Sequence, residues 1–298
     1  MKLLITGGTG FLGRYIVPVL RKKYDITLCG ITDKDDIQVD LAKEIPMLSD
    51  SYDVIFHAAG KAHIIPSTPE EVQSFYDINF QGTKNLCAAL EKSGLPKSFI
   101  FVSTVAVYGC DEGENIDESH PLNGATPYAL SKIKAEQFLE EWCKKNNIIL
   151  GIIRPSLIAG PNPPGNLGAM ISGINTGKYL SIGGGKARKS ILMLNDIPIL
   201  IDLLRKKGGI YNVCDDNHPS FRELEKCISY QLGGKRIISI PYWLANLCAK
   251  VGDILGSKAP INTFKLSKIT KSLTFSNRKA KEELGWQPTD VLKTFKIS

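Results

Sequence analysis

Short apolar runs and longer amphipathic stretches take turns along the first half of the chain. "KLLIT" (2–6), "DITLCG" (25–30), "IQVD" (37–40), "YDVIFHAAG" (52–60), "SFIFVSTVAVYG" (98–109) and "LGIIRPSLIAG" (150–160) have the length and residue types of strands, several of them bounded by glycine. Between them, "FLGRYIVPVLRKK" (11–23), "EEVQSFYDINFQGTKNLCAALEKSG" (70–94) and "PYALSKIKAEQFLEEWCKKNN" (127–147) repeat apolar residues at helical spacing. The stretch 70–94 is predicted as one long helix stopped at Gly94. Strands buried on both faces and separated by helices predict an α/β architecture. Its parallel, doubly wound sheet carries helices on both sides.

After Pro161 the texture changes. "GPNPPGNLG" and "SIGGGKARKS" are rich in glycine and proline, shorter helices follow, and "GIYNVCDD" (209–216) reads as a late strand. The pattern predicts a first domain over 1–160 and a smaller C-terminal α/β lobe over 161–298, with some elements crossing back to the first sheet. "YWLANLCAKVGDIL" (242–255) is read as a buried or half-buried helix of that lobe in preference to a membrane-surface helix.

Composition narrows the function classes. The chain has 298 residues, 43% of them hydrophobic, which is enough for a large core. Lys and Arg are spread along the chain, with only short clusters such as "RKK" at 21 and 205, and the formal charge of +7 is read as favouring anionic ligands without the footprint of a nucleic-acid binder. Seven cysteines form no CxxC pair, which fits reduced thiols better than a disulfide frame or a zinc site. The apolar run at the amino terminus is too short for a signal core, and no window has the length of a spanning helix. A cytoplasmic protein with no integral membrane segment is expected.

"ITGGTGFLG" supplies the first chemistry. Gly7, Gly8, Gly10 and Gly13 follow a strand and open a helix, the context that a dinucleotide fingerprint requires. Glycines there allow a tight turn and close backbone approach to a pyrophosphate, which meets the free amides of the helix N-terminus. The acid expected to hold the ribose is not evident: the second strand ends at "LCGITDKDD", where Asp33 comes late. The choice between NAD and NADP therefore stays open. The second chemistry lies in "TPYALSK", where Tyr128 and Lys132 are four residues apart and share one helix face.

"TGGTGFLG", "HAAG" (57–60), "NFQGTKNL" (79–86), "VSTVAVYG" (102–109), "PYALSK" (127–132), "RPSLIAGP" (154–161) and "NRKAKEELGWQP" (277–288) occur in one order along nearly the whole chain. Together they resemble the NAD-dependent epimerase/dehydratase family of extended short-chain dehydrogenases, whose members have a Rossmann domain and act mostly on nucleotide-diphosphate sugars. The resemblance implies NAD or NADP as cofactor, a nucleotide-diphosphate sugar as substrate, and a homodimer. The dimer would pair the helices 70–94 and 127–145 through Val72, Phe75, Leu86, Leu90, Ile133, Phe138, Leu139 and Trp142.

The same resemblance assigns roles. Tyr128 is the expected acid/base, Lys132 its partner and a ligand of the nicotinamide ribose, and Thr104 the hydroxyl that holds the sugar oxygen, with the adjacent Ser103 as the alternative. The cofactor is expected to meet Gly7, Gly10, Phe11, Leu12, Gly13, Asp40, Leu41, His57, Ala58 and Ala59, with packing alone as the alternative for His57. Asn79 matches a structural asparagine beneath the site. Asn166, Leu167, Arg188 and Lys189 are expected at the substrate, although Lys189 stands where the family often has arginine, and lysine does not replace a bidentate guanidinium freely. Val105 and Ala106 follow the threonine where sugar dehydratases of the family carry Asp-Glu, so dehydration is not expected. The first expectation is reduction of a UDP-4-keto-6-deoxy-N-acetylhexosamine in surface-polysaccharide synthesis. The alternatives are an NAD-dependent UDP-sugar 4-epimerase and a non-catalytic NAD(P) sensor.

Overall fold

The amino-terminal apolar run becomes the middle of the sheet. In the computed structural model, which describes residues 1–62, 64–255 and 261–297, β1 (Lys2–Thr6) is flanked on one side by β2 (Asp25–Gly30) and β3 (Ile37–Gln38). On its other side stand β4 (Val54–His57), β5 (Ser98–Val102), β7 (Ile149–Pro155) and β11 (Gly209–Val213), and every pairing is parallel. Period-two alternation sends Leu3 and Ile5 to one face and Leu4 to the other, and all three are fully buried. Two buried faces are why these strands read as unbroken apolar runs.

Helices cover both faces. α1 (Phe11–Leu20) and α6 (Ile197–Lys207) pack on the side of Ile5 and Phe56. On the other side, α3 (Gly82–Ser93) and α4 (Pro127–Lys145) enclose Leu4, Ile55 and Phe99. The helix predicted over 70–94 is interrupted: α2 (Pro69–Tyr76) passes through a π-helical segment, Asp77–Gln81, into α3. The strand read over 150–160 is likewise two elements, β7 and β8 (Leu157–Ala159).

The remaining elements build the smaller region and tie it back. β8 pairs with β10 (Ile191–Met193), β9 (Leu180–Ile182) with β12 (Ile238–Ile240), and β6 (Gly113–Ile116) with β13 (Leu273–Phe275). α5 (Gly165–Asn175), α7 (Phe221–Gln231) and α11 (Val291–Thr294) share a core with β10. α8 (Tyr242–Leu255) and α9 (Thr263–Thr270) pack together, and α10 (Arg278–Leu284) returns to β11 and α6.

The apolar face expected to meet a second copy is largely consumed inside the chain. Phe75, Leu86, Leu90, Ile133, Leu139 and Trp142 are buried, while Val72 and Phe138 keep part of their surface. Among the described residues, no helix is long and apolar enough to cross a membrane.

Candidate active site

Strand order reverses between β1 and β4, so the loops at their carboxyl ends diverge and leave a crevice. Gly7 turns there with φ of +73°, and a Cβ on it would lie 2.7 Å from the Ala59 amide nitrogen. A Cβ on Gly13 would lie 2.3 Å from the Gly8 carbonyl oxygen, so α1 cannot sit this close with any side chain at that position. Gly10 begins α1 without a side-chain cap, and the first turn carries no acid. Those amides and the positive end of the helix are thereby left for an anion. Phe11 and Leu12 pack partly buried at the start of α1, and Ala58 and Ala59 form the facing wall.

His57 does not reach that wall. Its ring is fully buried against Phe101, with Nδ1 2.6 Å from Thr6 Oγ1 and Nε2 2.9 Å from Thr83 Oγ1. Burial, reinforced by the Lys132 charge, lowers its pKa to about 3, so the ring is neutral and acts as a strut between β1 and α3. Asp40 is occupied locally, accepting from the Ala42 amide at 3.1 Å and pairing with Lys43 at 3.0 Å. Leu41 is buried beneath α3, and its carbonyl accepts from Asn85 at 2.8 Å.

A carboxylate does reach the end of β2, but from the loop. Asp35 folds back over Gly30, where a Cβ would come within 2.7 Å of its Oδ2. That oxygen accepts from the Thr32 amide and hydroxyl at 2.9 and 2.7 Å, while Oδ1 is buried with no partner. A buried carboxylate oxygen without a donor at the tip of β2 suits a ribose hydroxyl. Five positions after the strand end, Asp35 falls outside the spacing at which sequence reasoning looks for this acid. The glycine turn, the open helix N-terminus and this oxygen together fit a dinucleotide.

Thr126 starts α4 by accepting from the Ala129 amide at 3.2 Å, and Pro127 follows at the first helical position. This places Tyr128 in the first turn, half-buried, with its ring 6.3 Å from that of Phe75. Burial raises the phenol's pKa, and a hydrogen bond from Thr104 opposes the rise. Thr104 also begins the 3₁₀ turn Val105–Tyr108, accepting from the Ala106 amide at 3.1 Å. Lys132 is only 4% exposed and donates to the Val102 carbonyl at 2.9 Å, its Nζ 4.6 Å above the Phe101 ring. Burial lowers its pKa to about 8, against the pull of Glu136.

The π segment carries the support. Within it Asn79 turns fully inward, its Oδ1 accepting from the Lys61 amide at 2.7 Å. Its Nδ2 donates to the Lys61 carbonyl and to Ser131 Oγ, and Ser131 donates in turn to the Tyr128 carbonyl at 2.8 Å. Gly60 closes this nest, since a Cβ there would lie 2.9 Å from Asn79 Oδ1 and 3.1 Å from Lys132 Nζ. Behind α4, Arg154 of β7 grips Glu136 through two hydrogen bonds and donates to Tyr108 at 3.0 Å. Burial opposes that guanidinium's charge, but Glu136 outweighs it and the pKa stays raised. Neither Glu136 nor Ser131 carries a sequence signal beyond its position on α4.

The second half contributes less uniformly. Asn166 is exposed in the first turn of α5, and Leu167 is buried in the core below it. Arg188 is engaged, donating to the His218 carbonyl at 3.0 Å. Lys189 forms a bridge to Leu273 through its backbone, and its ammonium has no hydrogen-bond partner among the described residues. Burial and then the nearby Lys268 lower its pKa to about 8, while Asp111, just past the Thr104 turn, pulls the other way. No cluster of His, Cys, Asp or Glu among the described residues is arranged to hold a metal ion.

Tyr128, Lys132 and Thr104 stand beside the crevice, and residues 3–214 match the NAD dependent epimerase/dehydratase family, to which the chain belongs. It is thus an enzyme of a nicotinamide-dinucleotide-dependent class. The chain is 29% identical to the N-acetyl-alpha-D-glucosaminyl-diphospho-ditrans,octacis-undecaprenol 4-epimerase of Escherichia coli O157:H7, over 93% of this chain and 88% of that one. It is 27% identical to the UDP-glucose 4-epimerase of Vibrio cholerae, over 98% and 92%. Among solved structures, the UDP-glucose 4-epimerase of Thermotoga maritima superposes with a TM-score of 0.74 at 20% identity, covering 98% of this chain and 96% of that one.

Proposed function

We propose that the protein is a 4-epimerase of a hexose or N-acetylhexosamine carried on a diphosphate, and that it keeps NAD bound through turnover. The observation that carries this reading is the similarity along almost the whole chain to two 4-epimerases. One of them is named for a sugar on an undecaprenol diphosphate and the other for UDP-glucose, so the shared substrate chemistry is a sugar diphosphate. Mouse dTDP-D-glucose 4,6-dehydratase is also 28% identical over 76% of this chain, but Val105 and Ala106 offer no carboxyl beside Thr104 for an elimination. The 4-keto reductase expected first has the weaker support, because these relatives are epimerases and dehydratases.

Tyr128 would take the proton of the C4 hydroxyl as hydride leaves C4, and return it to that oxygen after the 4-keto sugar has turned its other face to the nicotinamide, with Thr104 donating to the oxygen in each alignment. Bound nicotinamide supplies the acceptor and donor of the C4 hydride. Lys132 faces the ribose side with a buried positive charge, and the unpaired ammonium of Lys189 favours the sugar diphosphate. Asp35 favours NAD, since its carboxylate repels a 2′-phosphate. Assembly into a homodimer through α3 and α4 rests on the family resemblance, with Phe138 and Phe80 stacked edge-on at that face. Light scattering above the monomer mass of 32.7 kDa supports it, and the monomer mass at micromolar concentration excludes it.

The reaction is tested without added cofactor. UDP-glucose, UDP-N-acetylglucosamine and a polyprenyl-diphospho-N-acetylglucosamine are incubated with purified protein, and the sugars are analysed for C4 epimers. Mass spectrometry of the denatured protein reads the retained dinucleotide. Epimer formation with NAD released on denaturation supports the proposal. Stoichiometric NAD(P)H consumption on a 4-keto sugar, with no epimer formed from any of the three, replaces it with the reductase.

A further inference from the structure

α8 is amphipathic in an unexpected sense. Its inward face is made of small residues, Ala245, Ala249 and Gly252, and the two alanines settle on Ile182 and Leu266. Its bulky apolar residues point outward: Trp243, Leu247, Val251 and Ile254 recur at spacings of four and three, one stripe of a helix about 21 Å long. Trp243 is 68% exposed and Ile254 87%. Phe264, at the start of α9, is exposed as well. Monomeric proteins rarely leave a continuous stripe of this kind uncovered.

Charge identifies what covers it. Between residues 235 and 271 the chain carries seven Lys or Arg and one carboxylate, Asp253, whose Oδ1 already accepts from the Thr263 amide and hydroxyl. Elsewhere 30 cations stand against 29 carboxylates, so nearly all of the formal +7 belongs to this one segment. Lys250 is exposed on α8 itself, and Lys235 and Arg236 are exposed just before β12. A second copy of the same cationic face would be repelled; an anionic surface would be attracted. An apolar stripe with an interfacial tryptophan and flanking lysines has the chemistry of a helix lying in the plane of a bilayer.

We propose that the outward face of α8 docks this protein on the surface of an anionic lipid bilayer. The stripe enters the boundary between headgroups and acyl chains, and Lys235, Arg236 and Lys250 pair with lipid phosphates. The site on the sheet would then work beside the membrane.

Trp243 reports the contact directly, because the other tryptophans, Trp142 and Trp286, are 7% and 1% exposed. The whole protein is mixed with vesicles of phosphatidylcholine alone or of phosphatidylcholine and phosphatidylglycerol in equal parts. A blue shift of tryptophan emission and co-sedimentation are expected with the mixed vesicles, with affinity weaker by about tenfold or more on the neutral ones or in high salt. The double variant Leu247→Glu, Ile254→Glu should keep its far-UV spectrum and melting temperature and lose both signals. No shift on either vesicle overturns the proposal, as does equal, salt-independent binding to both. It is also overturned if lipid-free protein dimerises through this face, so that the double variant converts a scattering dimer to a monomer. None of these readouts depends on the reaction catalysed.

Discussion

Ser103 and Thr104 are adjacent hydroxyls, and the backbone separates their roles. Strand geometry sends neighbouring side chains to opposite sides. Ser103 Oγ ends in the interior with no partner, while Thr104 faces Tyr128 and 9% of its surface is open. Ser103→Ala should therefore leave turnover nearly unchanged and cost no stability, since an unsatisfied hydroxyl is removed. Thr104→Val should lower kcat roughly 10–100-fold, the value of one hydrogen bond to a developing charge, and Thr104→Ser should restore most of it. Tyr128→Phe should lose ~10²–10⁴-fold with cofactor binding intact. The four variants are compared by kcat on one substrate, and a loss in Ser103→Ala as large as in Thr104→Val would transfer the role to Ser103. At the phenol burial dominates, and the hydrogen bond from Thr104 opposes it.

At the scale of elements, the sheet and the reactive helix were legible because their signals are local. "KLLIT" before a glycine turn and "TPY" before an amphipathic run each specify their structure within a few residues. The break in the helix over 70–94 was not legible, because "DINFQ" contains no proline or glycine to interrupt it. Its π geometry follows from tertiary demand: Asn79 has to reach both Lys61 and Ser131. Asp35 was missed for a related reason, since a loop of five residues brings it back to a strand end that sequence spacing assigns to Cys29 or Gly30. The lock between β7 and α4 gives a test of such non-local terms. Glu136 and Arg154 are 1% and 4% exposed, so Glu136→Gln leaves a buried guanidinium half-satisfied. It should destabilise the protein by ~3–5 kcal/mol, read from urea unfolding. A double change of the pair to apolar residues of similar volume should recover most of that loss. A cost below ~1 kcal/mol for Glu136→Gln would mean that water relieves the charge.

Across the whole molecule, buried carboxylates such as Asp196, Asp215 and Glu225 serve the second half of the chain, while another group of buried ionisable side chains lies between the carboxyl ends of the sheet and α3 and α4. His57, Lys132, Glu136 and Arg154 lie there, and His57 and Lys132 are both held below their ordinary pKa by burial. Both shifts act on stability with the same sign. The unfolded chain binds a proton on His57 near pH 6.5, whereas the folded chain resists it down to about 3. Across that window the unfolded state holds more protons, so stability is full above pH 6.5 and falls as the pH drops toward 3. For Lys132 the window runs from about 8 to 10.5, so its contribution grows as pH rises through that range. His57→Asn removes the acid-side titration. The variant should be less stable than the parent at neutral pH, because the bonds to Thr6 and Thr83 are weakened. Its unfolding free energy should nevertheless decline less steeply between pH 6.5 and 3, so that the two curves converge in acid. Urea titrations of both proteins at a series of pH values measure the difference directly, and the common carboxylate titrations cancel in it. Parallel curves would show that His57 takes up its proton in the folded state near the unfolded value. In that case the ring would have to move out of the strut between β1 and α3, and the crevice floor beneath the cofactor would open with pH.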